Sequence, residues 1–373
     1  MSHGVGVCES AVRPHGYKCE EFEVTTDDGY ILGIQRIPQG RIEGNGMKRQ
    51  PILLQHGLLV DGIVWILNSP EQSLAFILAD NGFDVWIANT RGTRPSRRHV
   101  SLSPSDKAYW AWSWDELVTH DLPTTINLVS KYTGQKLHYV GHSLGTLIAL
   151  ASFSERRLED KLKSAALLCP VAYLDHMQTP LGILGAKVFL GEILSDGLGI
   201  AEFNPNNKKV SSFLSMLCNS NPSVNCYDLL SSFTGNNCCL NASSIEVFLK
   251  YEPQPTSIKT MIHLSQTFRD GVLTKYDYGN EEMNTERYGQ GTPPAYNLSN
   301  IPNGFPLYLI HGGRDLLSDV QDVKHLLDDL KFHDKKQLNV HYVQNYAHAD
   351  FVIGVSAKQM VYESMIAFLR HHQ

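Results

Sequence analysis

Between residues 20 and 37 apolar and polar positions alternate, with Phe22 and Val24 on one face, Asp27-Asp28-Gly29 in the middle and Ile31 beyond. A period of two around an Asp-Gly pair predicts an antiparallel hairpin. The glycine-rich stretch from Gly40 to Gly46 predicts a loop. After it, short apolar runs are separated by helix-length segments: a strand over 51–55, a helix over 71–80 and a strand over 83–89. Ser113-Trp114-Asp115-Glu116 reads as a capping box for a helix running toward Lys131, bent early by Pro123 and stopped by Gly134. A β-rich run then meets a small aliphatic one at 137–149, and a further strand ends at Cys169-Pro170. Regular alternation stops from Val171 to about Asn300, a stretch rich in Gly, Pro and Asn that reads as irregular. It resumes with a strand over 306–311, a helix over 319–330, a strand over 337–344 and a last helix from about 357 to 370. Strands alternating with helices predict parallel β-α-β units. The expected architecture is α/β, in three stretches: core over 1–170, an inserted cap over 171–300, and core again over 301–373.

Composition changes this picture little. The 373 residues are 42% hydrophobic and 19% charged, ordinary for a globular chain. A net charge of −6 gives no basic footprint for nucleic acid. No window reaches the roughly 20 apolar residues of a membrane span. The nearest, 181–203, is interrupted by Lys187, Glu192, Asp196 and five glycines. Met1-Ser2-His3-Gly4 lacks the apolar region of a signal peptide, so none is expected in this chain. Cys169 falls in a strand-like apolar run and is expected to be a buried free thiol. Cys8, Cys19, Cys218, Cys226, Cys238 and Cys239 lie in polar, loop-like stretches, which suits disulfides in an oxidising compartment. Without a C-x-x-C pair, zinc is the poorer reading. Sequons at Asn241 and Asn297 also fit a secretory route, so the expected location is secreted or lumenal.

The chemistry gathers at Gly141-His142-Ser143-Leu144-Gly145, a G-x-S-x-G pattern between the β-rich run and the aliphatic one. Such a pattern puts a serine on a tight strand-to-helix turn, with glycines where a Cβ would strike the neighbouring strand and helix. The helix N-terminus favours developing negative charge. Ser143 is therefore the expected nucleophile, and the fold class sharpens to an α/β-hydrolase, a mostly parallel sheet with helices on both faces. In that fold the acid and then the base follow the nucleophile. Asp315 lies four residues past a strand end in a glycine-loosened loop, and His348 lies just beyond the next strand. Asp319 and Asp322 read instead as first-turn charges of the following helix, and His311 and His341 as structural. The oxyanion donors are expected to be the N–H of Leu144, after the nucleophile, and of Leu58, in the loop after the first parallel strand.

With those residues in place the chain resembles the acid lipase family, which includes gastric and lysosomal acid lipases and their plant relatives. The resemblance is carried by Gln55-His56-Gly57-Leu58-Leu59, the 73–80 run continuing to Gly82-Phe83-Asp84-Val85-Trp86, Thr90-Arg91-Gly92 and Arg97-Arg98-His99. Tyr139-Val140-Gly141-His142-Ser143, Asp315-Leu316-Leu317-Ser318-Asp319 and His348-Ala349-Asp350-Phe351 complete it, so that it spans roughly 8 to 368. The animal enzymes carry Gln where this chain has Leu144, and the cysteines look more like those of the plant branch. The resemblance implies hydrolysis of triacylglycerols or steryl esters at an oil–water interface, with no cofactor or colipase. It favours reading the apolar positions of 181–203 as a mobile lid, where their spacing equally suits permanent packing. It implies a Cys8–Cys19 disulfide and two bridges among the last four cysteines, whose pairing stays open. Arg94, Arg97, Arg98 and His99 read as a structural ion-pair set. The same triad would serve a soluble-ester carboxylesterase or an acyltransferase, and a broken one a ligand-binding protein. A histidine is mostly protonated below about pH 6 and a carboxylate neighbour raises its pKa, so acid operation requires His348 to be buried.

Overall fold

The computed structural model describes residues 6–42, 48–187, 189–212 and 229–373. Cys218, Cys226 and the 43–46 part of the expected glycine loop lie outside the described residues.

The predicted hairpin is β1 (Glu20–Thr25) and β2 (Tyr30–Ile37), paired antiparallel, with Gly29 in the positive-φ turn at 97°. There follow β3 (Gln50–Gln55), β4 (Phe83–Ala88), the two-residue β5 (Arg98–His99), β6 (Leu137–His142) and β7 (Leu162–Leu168). β8 (Glu202–Phe203) and β9 (Thr256–Ser257) form a separate antiparallel pair, and β10 (Leu307–Gly312) and β11 (Leu338–Val343) complete the strands. The large sheet runs β1-β2-β4-β3-β6-β7-β10-β11, with β5 beside β2. From β4 to β11 every pairing is parallel; β2 joins β4 antiparallel.

Every residue of β4 and β6 is buried, because helices cover both faces. Alternate side chains feed two cores. Leu53, Trp86, Tyr139, Leu167 and Leu309 face one. Ile52, Leu54, Val85, Ile87, Val140, Ala166, Leu168 and Ile310 face the other. The helix Leu144–Ser154 is buried along its whole length, as its small and aliphatic residues suit, with the hydroxyls of Thr146 and Ser154 turned back to backbone carbonyls. The Ser113 capping box is formed, with the Glu116 carboxylate accepting the Ser113 N–H at 2.6 Å. A π-helical turn at Leu117–Asp121 runs without a break into the helix Leu122–Thr133, so that Pro123 follows directly on the widened turn. Gly134 ends it at φ 64°.

One expectation is overturned. The 171–300 segment is not irregular but largely helical, with helices at Pro180–Lys187, Leu229–Thr234, Ala242–Tyr251, Ile258–Asp270 and Glu281–Tyr288. The residues that read as loop are its punctuation. Asn241, Ser257 and Asn280 are N-caps accepting the N–H groups of Ser244, Thr260 and Met283, and Gly271 and Gly289 are left-handed stops. Leu194, Phe203, Val210, Ile258 and Ile262 form a small core of its own.

Cys8 and Cys19 are disulfide-bonded, and adjacent Cys238 and Cys239 are bonded to each other. Cys169 is a buried free thiol, as expected. Among the described residues no helix is long and apolar enough to cross a membrane. The basic set is structural: Arg94 pairs with Asp61, Arg97 with Glu202 and Arg98 with Glu23, while His99 Nε2–H donates to the Asp28 carbonyl. Arg91, in the Thr90-Arg91-Gly92 stretch, is fully buried between Asp28 and Asp121.

Candidate active site

The site is assembled where neighbouring strands end. β6, β7, β10 and β11 lie side by side, and their ladders run on into the loops. Ser143 N–H donates to Leu168 O (3.1 Å), Cys169 N–H to Ile310 O (2.8 Å), Gly313 N–H to Val343 O (3.1 Å) and Arg314 N–H to Tyr346 O (3.0 Å). The loops that carry Ser143, Asp315 and His348 are therefore brought to one end of the sheet although they are far apart in sequence.

Ser143 has φ 55° and ψ −117°, a strained conformation for a residue with a side chain. The tightness of the turn is measurable at its glycines. A Cβ on Gly141 would lie 2.7 Å from Gly145 O, and one on Gly145 would lie 2.5 Å from Gln55 O. Tyr139 Oη–H donates to Gly145 O at 2.6 Å, and Thr146 Oγ1–H donates to Ser143 O at 2.6 Å, which pins the turn from both sides.

Asp315 and His348 are each 4% exposed. His348 Nδ1–H donates to both Asp315 oxygens, at 2.8 and 3.0 Å, which leaves Nε2 as the lone-pair nitrogen. That Nε2 is buried and has no partner among the described residues. Burial alone would raise the Asp315 pKa, but the His348 charge, its hydrogen bond and the N–H groups of Ser318 and Leu317 outweigh it and hold the carboxyl below its ordinary value. Asp319 caps the next helix by accepting Gln321 N–H, and Asp322 accepts from His176, so neither competes for His348.

The 56–59 loop lies against Ser143: a Cβ on Gly57 would be 3.0 Å from Ser143 Cβ. His56 braces it, donating Nδ1–H to Gly57 O at 2.8 Å and accepting Thr90 N–H at Nε2 at 3.1 Å. Burial pushes its pKa down to about 4, so it stays neutral in the tautomer this bracing needs. Among the described residues neither Leu58 N–H nor Leu144 N–H makes a hydrogen bond.

Some residues that shape the site carry no local sequence signal. His142, held neutral because burial and then the His348 charge push its pKa down to about 3, donates Nε2–H to His348 O at 3.0 Å. Buried Asp350 accepts the N–H groups of Ala347, Cys238 and Cys239 at 2.8, 3.1 and 3.0 Å, tying the His348 loop to the paired cysteines. His348 N–H donates to Thr234 O at 3.0 Å. His142, Cys169 and His348 bring three ligand-type atoms within 4.8 Å of one another. His142 Nε2–H and the Cys169 thiol are both already turned to the His348 carbonyl.

A serine on a strained strand-to-helix turn, with Asp and His on later strand ends of a mostly parallel sheet, defines the α/β-hydrolase class. A partial α/β-hydrolase lipase region matches residues 8–69 and the α/β-hydrolase fold matches 50–195. Triacylglycerol lipase 2 of Arabidopsis thaliana is 55% identical over 98% of this chain and 88% of its own length. Gastric triacylglycerol lipase of Rattus norvegicus is 37% identical over 95% and 89%. A soluble variant of the Saccharomyces cerevisiae monoglyceride lipase, solved with a substrate analogue, shares the fold at TM-score 0.58 and 14% identity over 100% of this chain and 99% of that one. The chain belongs to the acid lipase family of α/β-hydrolases.

Proposed function

We propose that this enzyme is a serine-dependent lipase that cleaves neutral-lipid esters, triacylglycerols foremost and steryl esters by the same chemistry. Ser143 is the nucleophile, His348 the base, Asp315 the carboxylate that holds it, and the N–H groups of Leu58 and Leu144 the oxyanion donors. The observation that carries this reading is His348, its Nδ1–H committed to a buried carboxylate, its Nε2 unpartnered among the described residues, and its carbonyl bonded by His142, the residue before Ser143. Ser143 Oγ adds to the ester carbonyl while its proton passes to Nε2, and the carbonyl oxygen becomes an oxyanion facing the two N–H groups. Collapse breaks the bond to the alcohol, which leaves with that proton. Water then attacks the acyl-enzyme by the same route, releasing the fatty acid and restoring Ser143. Asp315, held below its ordinary pKa, stays ionised and stabilises each transient imidazolium.

We read residues 171–300 as a cap on a core made of 1–170 and 301–373, with 181–203 as its lid. Exposed Phe189, Ile193 and Leu198 give that lid an apolar outer surface suited to an oil–water interface. The Cys8–Cys19 disulfide and the sequons at Asn241 and at exposed Asn297 support a secreted or lumenal location. The deciding experiment is hydrolysis of emulsified trioleoylglycerol and of a soluble short-chain ester by wild type and Ser143→Ala. Turnover of both by wild type, reduced about 10⁴-fold or more in the variant, is expected. Turnover of the soluble ester alone would make this a carboxylesterase, and activity persisting in Ser143→Ala would refute the nucleophile.

A further inference from the structure

The loop that carries Leu58 is not held by the sheet alone. Glu252 and Gln254, both buried and both in the 171–300 segment, reach it from the opposite side. Glu252 Oε1 accepts the N–H of Asp61 at 3.0 Å, and Gln254 N–H donates to Leu59 O at 2.8 Å. Gln254 Oε1 in turn accepts the N–H of Arg94 at 2.9 Å, and Gln254 Nε2–H donates to Tyr251 O at 2.7 Å. Leu59 has φ 60°, a left-handed conformation that a leucine holds only when its surroundings impose it. Its side chain packs on the small core formed by Leu194, Phe203, Val210, Ile258 and Ile262, away from the main cores. The residue after the oxyanion donor is thus fixed by a hydrogen bond, and by a side-chain contact, to the inserted segment.

We propose that Glu252 and Gln254 are positioning residues for the oxyanion hole: they clamp the 57–61 loop and make the placement of Leu58 N–H depend on the inserted segment. The inference rests on the assignment of Leu58 as an oxyanion donor. Neither residue need touch substrate: Glu252 acts on the loop through its carboxylate and Gln254 through its backbone N–H, which its own side chain holds in place by bonding Arg94 N–H and Tyr251 O.

The clamp also has a titration built into it. Asp61 is fully buried, with Oδ1 accepting Ile63 N–H at 2.9 Å and Oδ2 3.4 Å from the Arg94 guanidinium. Glu252 Oε2 is buried without a partner among the described residues. The groups facing Glu252 are Asp61, Gln254 and Arg94, and Arg94 is half exposed and paired to Asp61. Burial, and then the neighbouring Asp61 carboxylate, push the Glu252 pKa up to about 9. Burial also pushes Asp61 up. The sign follows directly. The folded protein keeps a proton on Glu252 that the unfolded chain releases near the ordinary glutamate value. The folded state and the loop it holds therefore lose stability as pH rises from that value through about 9. A neutral Glu252 lets one carboxylate and one arginine balance; an ionised one places two buried carboxylates beside the oxyanion loop.

The test uses the full chain and a soluble short-chain ester, so that interfacial effects do not enter. Glu252→Ala removes the acceptor for Asp61 N–H and should lower kcat about tenfold or more, with KM within about twofold, because the lost contact matters most in the transition state. Glu252→Gln keeps the acceptor but cannot ionise. It should recover kcat to within about threefold of wild type at about pH 5, and it should lack the fall in kcat expected of wild type as pH approaches about 9. Folded Glu252→Ala with unchanged kcat, or with the whole effect in KM, overturns the proposal, as does an alkaline limb in Glu252→Gln that coincides with wild type. If Glu252→Ala does not fold by circular dichroism, the Glu252→Gln profile decides alone. Ser143→Ala in the same assay separates the two readings. If it is inactive while the Glu252 variants behave as wild type, only the clamp fails; if it is active, the catalytic assignment fails first.

Discussion

The strand ends of β6, β7, β10 and β11 and the 171–300 segment meet around Ser143, and they hold it by different means. On the sheet side, backbone ladders continue past the strands into the loops, and the side chains that follow are buried and multiply bonded. Asp315 alone takes two N–H groups besides His348. On the other side no ladder among the described residues reaches the site. The segment packs into the main core at residues such as Tyr173, Leu174, Leu273 and Tyr296, and near the site it makes separate hydrogen bonds, with His348 N–H donating to Thr234 O, Ala349 N–H to Asn237 Oδ1, Asp61 N–H to Glu252 and Gln254 N–H to Leu59 O. That side also leaves large apolar side chains in solvent, at Phe189, Ile193 and Leu198. A ladder has no second arrangement close in energy, whereas a few separate bonds can be traded one at a time. In the proposed roles Ser143 and Asp315 stand on the first kind of support, the Leu58 loop is held by the second as well, and His348 draws on both.

The largest change that sharpens this contrast is Asp315→Asn. Asp315 Oδ1 is already claimed by Leu317 and Ser318 N–H at 2.9 Å each, so an asparagine would keep its oxygen there and turn its NH₂ toward His348 Nδ1. The imidazole would then have to accept at Nδ1 and carry its proton on Nε2, the tautomer that cannot take a proton from Ser143. A loss of about 10³ to 10⁴ in kcat on a soluble ester is expected, with little change in KM. A loss below about tenfold would mean that Asp315 does not set the tautomer.

Gly145→Ala tests the sheet side for rigidity. Its Cβ would meet two backbone oxygens, Gln55 O at 2.5 Å and His56 O at 3.0 Å, and neither belongs to a side chain that can swing away. Unfolding in urea should show a loss of about 2–4 kcal/mol, together with reduced kcat, because β3 and the elbow must move apart. Stability within about 0.5 kcal/mol of wild type would show that the elbow yields more easily than its ladders suggest.

This division also explains what could be read from the sequence. The sheet was legible because parallel strands announce themselves as unbroken apolar runs, and Ser143, Asp315 and His348 because each stands just past such a run. The helices of 171–300 were not, because Asn241, Ser257 and Asn280 look like loop residues until they are seen capping. The supporting contacts were further out of reach. Asp61 to Glu252 spans 191 residues, His142 to His348 spans 206, and Asp350 to Cys238 spans 112. No local pattern encodes contacts of that separation. Asp350 sat inside a recognised stretch, but nothing in its neighbours said that its carboxylate gathers three N–H groups.

The smallest expected effect is the one that bears most directly on substrate. If the 171–300 segment serves the interface rather than the chemistry, replacing Phe189, Ile193 and Leu198 together by serine should leave soluble-ester turnover within about twofold of wild type. Turnover of emulsified trioleoylglycerol should fall about tenfold, because each exposed side chain buried in lipid contributes on the order of 1–2 kcal/mol and part of that gain is lost to immobilisation. The three positions are 50%, 42% and 51% exposed, while neighbouring Leu194 is 1% exposed and belongs to the segment's own core. The substitutions therefore remove outer apolar surface and the ring under the Arg269 guanidinium, and leave the segment's own core intact. Equal loss on both substrates would mean that these residues support the fold of the site. No loss on either would leave interface binding to another surface. A loss confined to the emulsion would place substrate capture on the loosely held side of the molecule and bond cleavage on the laddered one.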